Sequence, residues 1–132
     1  MYSVLIVEDE KMERDFLKSV IEKELAPDDS VYACESGVQA VSMARKYKPD
    51  IIFMDIFLPE LDGIGATEEI QKFLPDVCVC IISACSDFLY AQKAVSLHVF
   101  KYILKPIRPA EFKAVLTQMM DYMRAGHIYV AN

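Results

Sequence analysis

The sequence predicts an α/β fold, a doubly wound parallel sheet of five strands with helices on both faces. Three observations lead there. Short apolar, β-branched runs alternate with stretches whose apolar residues recur at helical spacing. Proline, glycine and aspartate punctuate the junctions between them. The 132 residues are 54 % hydrophobic, enough for one domain to bury a sizeable core.

Each element follows in order. Val4 to Val7 is a short apolar run suited to a buried strand. From Glu10 to Leu25 the residues Met12, Phe16, Leu17, Val20, Ile21 and Leu25 form a helical stripe, and Pro27-Asp28-Asp29 ends it. Val31 to Cys34 is a second, weaker strand. Ser36-Gly37 opens a helix to about Tyr47, closed by Lys48-Pro49. Ile51 to Met54 is the third strand, followed by a loop with Pro59 and Gly63 and a helix to about Leu74. Val77 to Ile82 is the fourth strand, Asp87 to Leu97 a helix, and Val99 to Leu104 the fifth strand. The last helix starts near Pro109, a residue suited to a first turn, and its stripe is Phe112, Val115, Leu116, Met119, Met120 and Met123. The predicted domain spans 1–125, and residues 126–132 read as a tail or linker.

Composition and charge exclude several classes. No apolar run approaches the ~20 residues that cross a bilayer, so no membrane association is expected. Met1-Tyr2-Ser3 carries no basic region ahead of the apolar run, so no secretory signal is read, and the four cysteines are expected as reduced thiols in the cytoplasm. With 14 Lys plus Arg against 20 Asp plus Glu, the net charge is −6. Direct nucleic-acid binding by such a domain is not expected. Cys78-x-Cys80 resembles half of a metal site, but alternation on a buried strand accounts for it and no second pair lies nearby.

The chemistry falls at the strand ends. The first strand ends in Glu8-Asp9, the third in Asp55, the fourth in Ser83 and the fifth in Lys105. Open α/β sheets bind ligands beyond the carboxyl ends of their strands, so these residues are expected to converge on one pocket. Three acids held together repel one another unless a cation and a lysine share the site. Hard oxygen donors suit Mg²⁺. A carboxylate in such a place can attack a phosphoryl group while the cation, an ammonium and a hydroxyl balance the transferring oxygens.

These residues carry a resemblance. Val4-Leu5-Ile6-Val7-Glu8-Asp9-Glu10, Pro49 to Asp55 followed by Leu58-Pro59 and Asp62-Gly63, Ser83-Ala84, and Tyr102-Ile103-Leu104-Lys105-Pro106 together resemble the motifs of response-regulator receiver domains from two-component signalling, over residues 3 to about 123. The resemblance implies a (βα)5 flavodoxin-like three-layer sandwich with strand order 2-1-3-4-5. It implies that Asp55 accepts the phosphoryl group from a sensor histidine kinase. Asp9, Asp55 and the backbone carbonyl of Phe57 would bind Mg²⁺, with Glu8 acting through water. Lys105 and Ser83 would meet the phosphoryl group, and Tyr102 would turn inward as a switch. The family also implies a cis bond before Pro106. Ser83 feeds helix four and Tyr102 lies on strand five three residues before Lys105, so the surface of helix four, strand five and helix five is expected to answer to phosphorylation, through a homodimer or an output domain. Ser86 to Ala94 resembles the subgroup whose full-length members carry an AraC-type DNA-binding output domain. Ser83, Leu58 and His98 stand where threonine, methionine and glycine are common. The resemblance implies that Phe57 and Cys85 border the approach of hydrolytic water, and neither side chain orients a water well, so self-dephosphorylation is expected to be slow.

Two other classes fit parts of the pattern. Phosphatases of the haloacid-dehalogenase type use a strand-end aspartate and Mg²⁺, but need a second aspartate where this chain has Phe57. A flavin-binding domain shares the winding, but the acidic Glu8-Asp9-Glu10 turn would repel a flavin phosphate.

Overall fold

The computed structural model describes residues 1–84 and 87–126. Cys85, Ser86 and the tail from His127 to Asn132 lie outside the described residues. Five strands alternate with five helices: β1 Ser3–Val7, α1 Lys11–Glu24, β2 Ser30–Cys34, α2 Gly37–Tyr47, β3 Ile51–Met54, α3 Gly63–Gln71, β4 Cys78–Ser83, α4 Phe88–Ser96, β5 Lys101–Leu104 and α5 Pro109–Arg124. All strand pairs are parallel, in the order β2-β1-β3-β4-β5, as the sequence predicts.

The central strands read as continuous apolar runs because both their faces are covered. Ile6, Phe53, Cys80, Ile82 and Ile103 pack with α1 and α5 in one cluster. Their neighbours Leu5, Val7, Ile52, Met54, Val79 and Ile81 pack with α2, α3 and α4 in the other. Cys78 and Cys80 both belong to the first cluster, which settles the Cys-x-Cys spacing as strand alternation. Burial pushes the Cys34 thiol up to about 11 and that of Cys78 to about 12, so neither is a reactive thiolate.

Local chemistry fixes the helix starts. Ser36 caps α2 by accepting from the Gln39 N–H, Asp62 caps α3 from Gly65, and Asp87 caps α4 from Leu89. Several boundaries differ from the sequence reading by a residue or more, and one stripe differs. Met12 is 87 % exposed and Phe16 also faces solvent, so the core stripe of α1 is Leu17 and Ile21. Helix α3 stops at Gln71, and its last turn closes through i→i+3 bonds from Lys72 and Phe73. Strand β4 starts at Cys78, one residue later than read, and runs on through Ser83. Strand β5 starts at Lys101 because the chain first turns at His98, which has a left-handed φ of 58°. Among the described residues, no helix is long and apolar enough to cross a membrane.

Candidate functional site

Strand register brings the predicted residues together. Val7 lies opposite Met54, so Glu8 and Asp55 emerge side by side from β1 and β3. Backbone bonds extend the sheet one step further: Asp55 N–H donates to the Val7 carbonyl (3.0 Å), Glu8 N–H to Cys34 (3.1 Å) and Lys105 N–H to Ser83 (2.9 Å). These bonds carry the β2–β1–β3 and the β4–β5 pairings to the carboxyl edge of the sheet, where Glu8, Asp55, Ser83 and Lys105 stand. The bond before Pro106 is cis.

The carboxylate oxygens of Glu8, Asp9 and Asp55 lie within 4.8 Å of one another. Glu8 and Asp55 are buried, at 2 % and 6 % exposure, while Asp9 faces solvent. Lys105 enters from the loop after β5. Its Nζ donates to Glu8 Oε1 (2.8 Å), Asp55 Oδ2 (3.0 Å) and Glu13 Oε2 (3.1 Å). The other Asp55 oxygen accepts from the Ile56 N–H at 2.7 Å. The other Glu8 oxygen accepts from the Glu10 N–H at 3.1 Å.

Burial pushes the Glu8 carboxyl up to about 7, although the bonds from Lys105 and the Glu10 backbone pull the other way. Burial alone would lower the Lys105 ammonium, but its bonds to Glu8, Asp55 and Glu13 prevail and raise it. The lysine is therefore a fixed positive charge. The acids form a set of hard oxygen donors with no thiol or imidazole among them, which fits a hard divalent cation such as Mg²⁺.

The remaining predicted residues sit around this centre. Ser83 is fully buried at the end of β4, opposite Leu104. Tyr102 is half-buried on β5, opposite Ile81, and packs on the α2–α3–α4 side of the sheet. Phe57 is 53 % exposed, and its ring meets Tyr90 edge-on at 5.8 Å. Cys85 is outside the described residues.

Two contributors escaped the sequence reading. Glu13 is the third acid on Lys105. Arg14 donates to the Glu8 backbone carbonyl at 2.8 Å and lies 3.7 Å from Glu35. The signal for Glu13 was its phase: it precedes Leu17 and Ile21 by one and two helical steps of four, on the face of α1 turned to the sheet.

A parallel five-stranded sheet wound in this order, with an acidic pocket and a lysine at its carboxyl edge, defines a receiver-type switch domain rather than a nucleotide or flavin binder. The chain belongs to the response regulator receiver domain family, whose model matches residues 4–117. It is 30 % identical over 120 residues to the transcriptional regulatory protein HptR of Staphylococcus aureus, covering 91 % of this chain and 47 % of that protein. The chain thus spans about half the length of the curated relatives it matches. A two-component transcriptional regulator AraC from Clostridium phytofermentans superposes with a TM-score of 0.80 at 31 % identity, over 96 % of this chain and 98 % of that one. The receiver domain of a sensor histidine kinase from Pseudomonas aeruginosa, solved with a magnesium ion in its active-site cleft, gives 0.79 at 25 % identity, over 91 % of this chain and 98 % of that one.

Proposed function

We propose that Asp55 is the phosphoacceptor of this receiver domain, and that phosphorylation there requires Mg²⁺. The observation that carries this reading is the Asp55 carboxylate itself. It is buried, held at one oxygen by a backbone N–H and at the other by the Lys105 ammonium, beside two further acids. Asp9, Asp55 and the Phe57 backbone carbonyl would hold Mg²⁺, with Glu8 acting through water. Bound there, the cation would offset charge on the phosphoryl oxygens. An Asp55 oxygen attacks phosphorus, an O–P bond forms, and the bond from phosphorus to the donor atom breaks with its electron pair leaving on the donor. Lys105 neutralises charge on the transferred group, and the Ser83 hydroxyl hydrogen-bonds one of its oxygens.

The donor is a sensor histidine kinase. Residues 1–125 form the switch and 126–132 a tail or linker. Ser83 feeds α4, and Tyr102 lies three residues before Lys105 on β5. Both contacts therefore act on the surface of α4, β5 and α5, which we assign to phosphorylation-dependent dimerisation or to an output domain, of the AraC DNA-binding type by likeness to the relatives. Transcription is the output this likeness supports. The domain acts as a switch that takes up its own phosphoryl group and loses it slowly, inside the cytoplasm.

The test is mass spectrometry after incubation with acetyl phosphate. One added phosphoryl group, dependent on Mg²⁺, labile to hydroxylamine and lost in Asp55→Ala, is the expected result. Equal labelling of Asp55→Ala at the wild-type rate would show that another residue is the acceptor.

A further inference from the structure

Lys105 has three ammonium protons, and three carboxylates take them: Glu8, Asp55 and Glu13. Glu8 and Asp55 belong to the site proposed above. Glu13 does not. It stands in the first turn of α1, 92 residues away in sequence, and reaches across to the loop after β5. Of the three bonds its is the longest, at 3.1 Å. Its side chain is also the most exposed of the three acids, at 23 %. It can therefore swing into water at less cost than either buried partner.

A phosphoryl group on Asp55 brings at least two charged oxygens to an ammonium with no proton to spare. Esterification removes the charge of Asp55 itself, and of the two acids that stay ionised, Glu8 and Glu13, only Glu13 can yield without stranding a buried charge. We propose that Glu13 is a built-in counter-ion that competes with the phosphoryl group for Lys105, so that it weakens the grip of the site on that group. Glu13 is thus a positioning residue acting through the lysine. This rests on the reading of Asp55 as phosphoacceptor.

The test titrates beryllofluoride, a phosphoryl mimic, into the full chain at saturating Mg²⁺, followed by ¹⁹F and amide NMR. Glu13→Gln keeps the side-chain shape and removes its charge. It is expected to bind the mimic roughly three to ten times more tightly than wild type, the range of one partly exposed charge-assisted bond. In a Lys105→Gln background the same substitution is expected to change affinity less than about twofold, since the effect runs through the lysine. In the metal-free chain the Lys105 ammonium cross-peak should broaden in Glu13→Gln, as one of its three anchors is gone. Unchanged or weaker binding in Glu13→Gln, an unchanged ammonium peak, or an equal gain in both backgrounds would each overturn the proposal. Wild type that binds no beryllofluoride would instead overturn the reading of Asp55.

Discussion

Gly63 lies directly against the backbone carbonyl of Asp55. A Cβ at Gly63 would fall 1.8 Å from that oxygen, 2.7 Å from its carbon and 2.9 Å from Met54 Cγ. The Gly63 N–H meanwhile donates to the Ile56 carbonyl at 2.8 Å. The start of α3 is thus seated on the very peptide that carries the proposed phosphoacceptor, and only a residue without a side chain fits.

Replacing Gly63 by Ala forces either α3 or the Asp55 peptide to move. Overpacking of a backbone contact inside a dense core is expected to cost about 2–4 kcal/mol. Urea unfolding measures this. The Mg²⁺-induced amide shifts of Asp55 and Ile56 should also shrink, because the carboxylate is displaced with its backbone. Wild-type stability in Gly63→Ala would show that the loop can yield without strain.

Glu8 gives the site a pH dependence. Burial holds its folded pKa at about 7, above the ordinary glutamate value of 4.5. The folded state therefore holds a proton that the unfolded state has lost across the interval between those values. Metal-free stability should fall as pH rises through this window, and the loss should be complete above about 7. Lys105 contributes no slope there, since its shift is upward from 10.5. Glu8→Gln should flatten the slope and exceed wild type in stability at pH 8 without divalent cations. Mg²⁺ favours the ionised acid, so its stabilising effect on wild type should grow from pH 6 to pH 8. Urea titrations at the two pH values, with and without Mg²⁺, check both statements.

Most of the fold and the centre of the site were legible in the sequence, for identifiable reasons. Buried parallel strands such as Ile51–Met54 are uniformly apolar, so the first polar residue after each one marks its carboxyl end. Glu8, Asp55 and Lys105 were found this way. What escaped depended on packing between distant segments. Met12 and Phe16 have helical spacing but sit on the outer side of α1. Glu13 is one acid among many until Lys105 approaches from 92 residues away. The shortened β5 follows from the turn at His98, where the glycine common in the family would have announced the left-handed backbone and a histidine does not.

That turn yields a stability prediction. His98 holds φ at 58°, after α4 has closed through bonds from Leu97 and His98 to carbonyls of the last turn. A side chain in the left-handed region crowds its own carbonyl, and glycine does not. His98→Gly is expected to stabilise the domain by about 0.5–1 kcal/mol, with relief of strain outweighing the added freedom of the unfolded chain. Chemical denaturation decides the sign. A destabilised variant would mean that the imidazole makes packing contacts worth more than the backbone strain.

The lifetime of the phosphorylated state is set by how well water can reach phosphorus in line. Phe57 follows Asp55 by two residues and is half exposed, with its ring edge-on to Tyr90. If Phe57 borders the approach of water, as the family resemblance implies, that contact holds an apolar surface over it. A phenyl ring neither accepts a proton nor aligns a water through a hydrogen bond. Asparagine at this position offers both a donor and an acceptor and gives up the contact with Tyr90. Phe57→Asn is therefore expected to lose its phosphoryl group at least about threefold faster than wild type, a small part of what positioned proton transfer can supply. Phe57→Leu, which removes the aromatic contact without adding a polar group, separates the two causes. It should decay at close to the wild-type rate if water alignment is what counts. Decay is followed by intact mass after removal of the phosphodonor. Equal rates for wild type and Phe57→Asn would show that water enters by a path that Phe57 does not border.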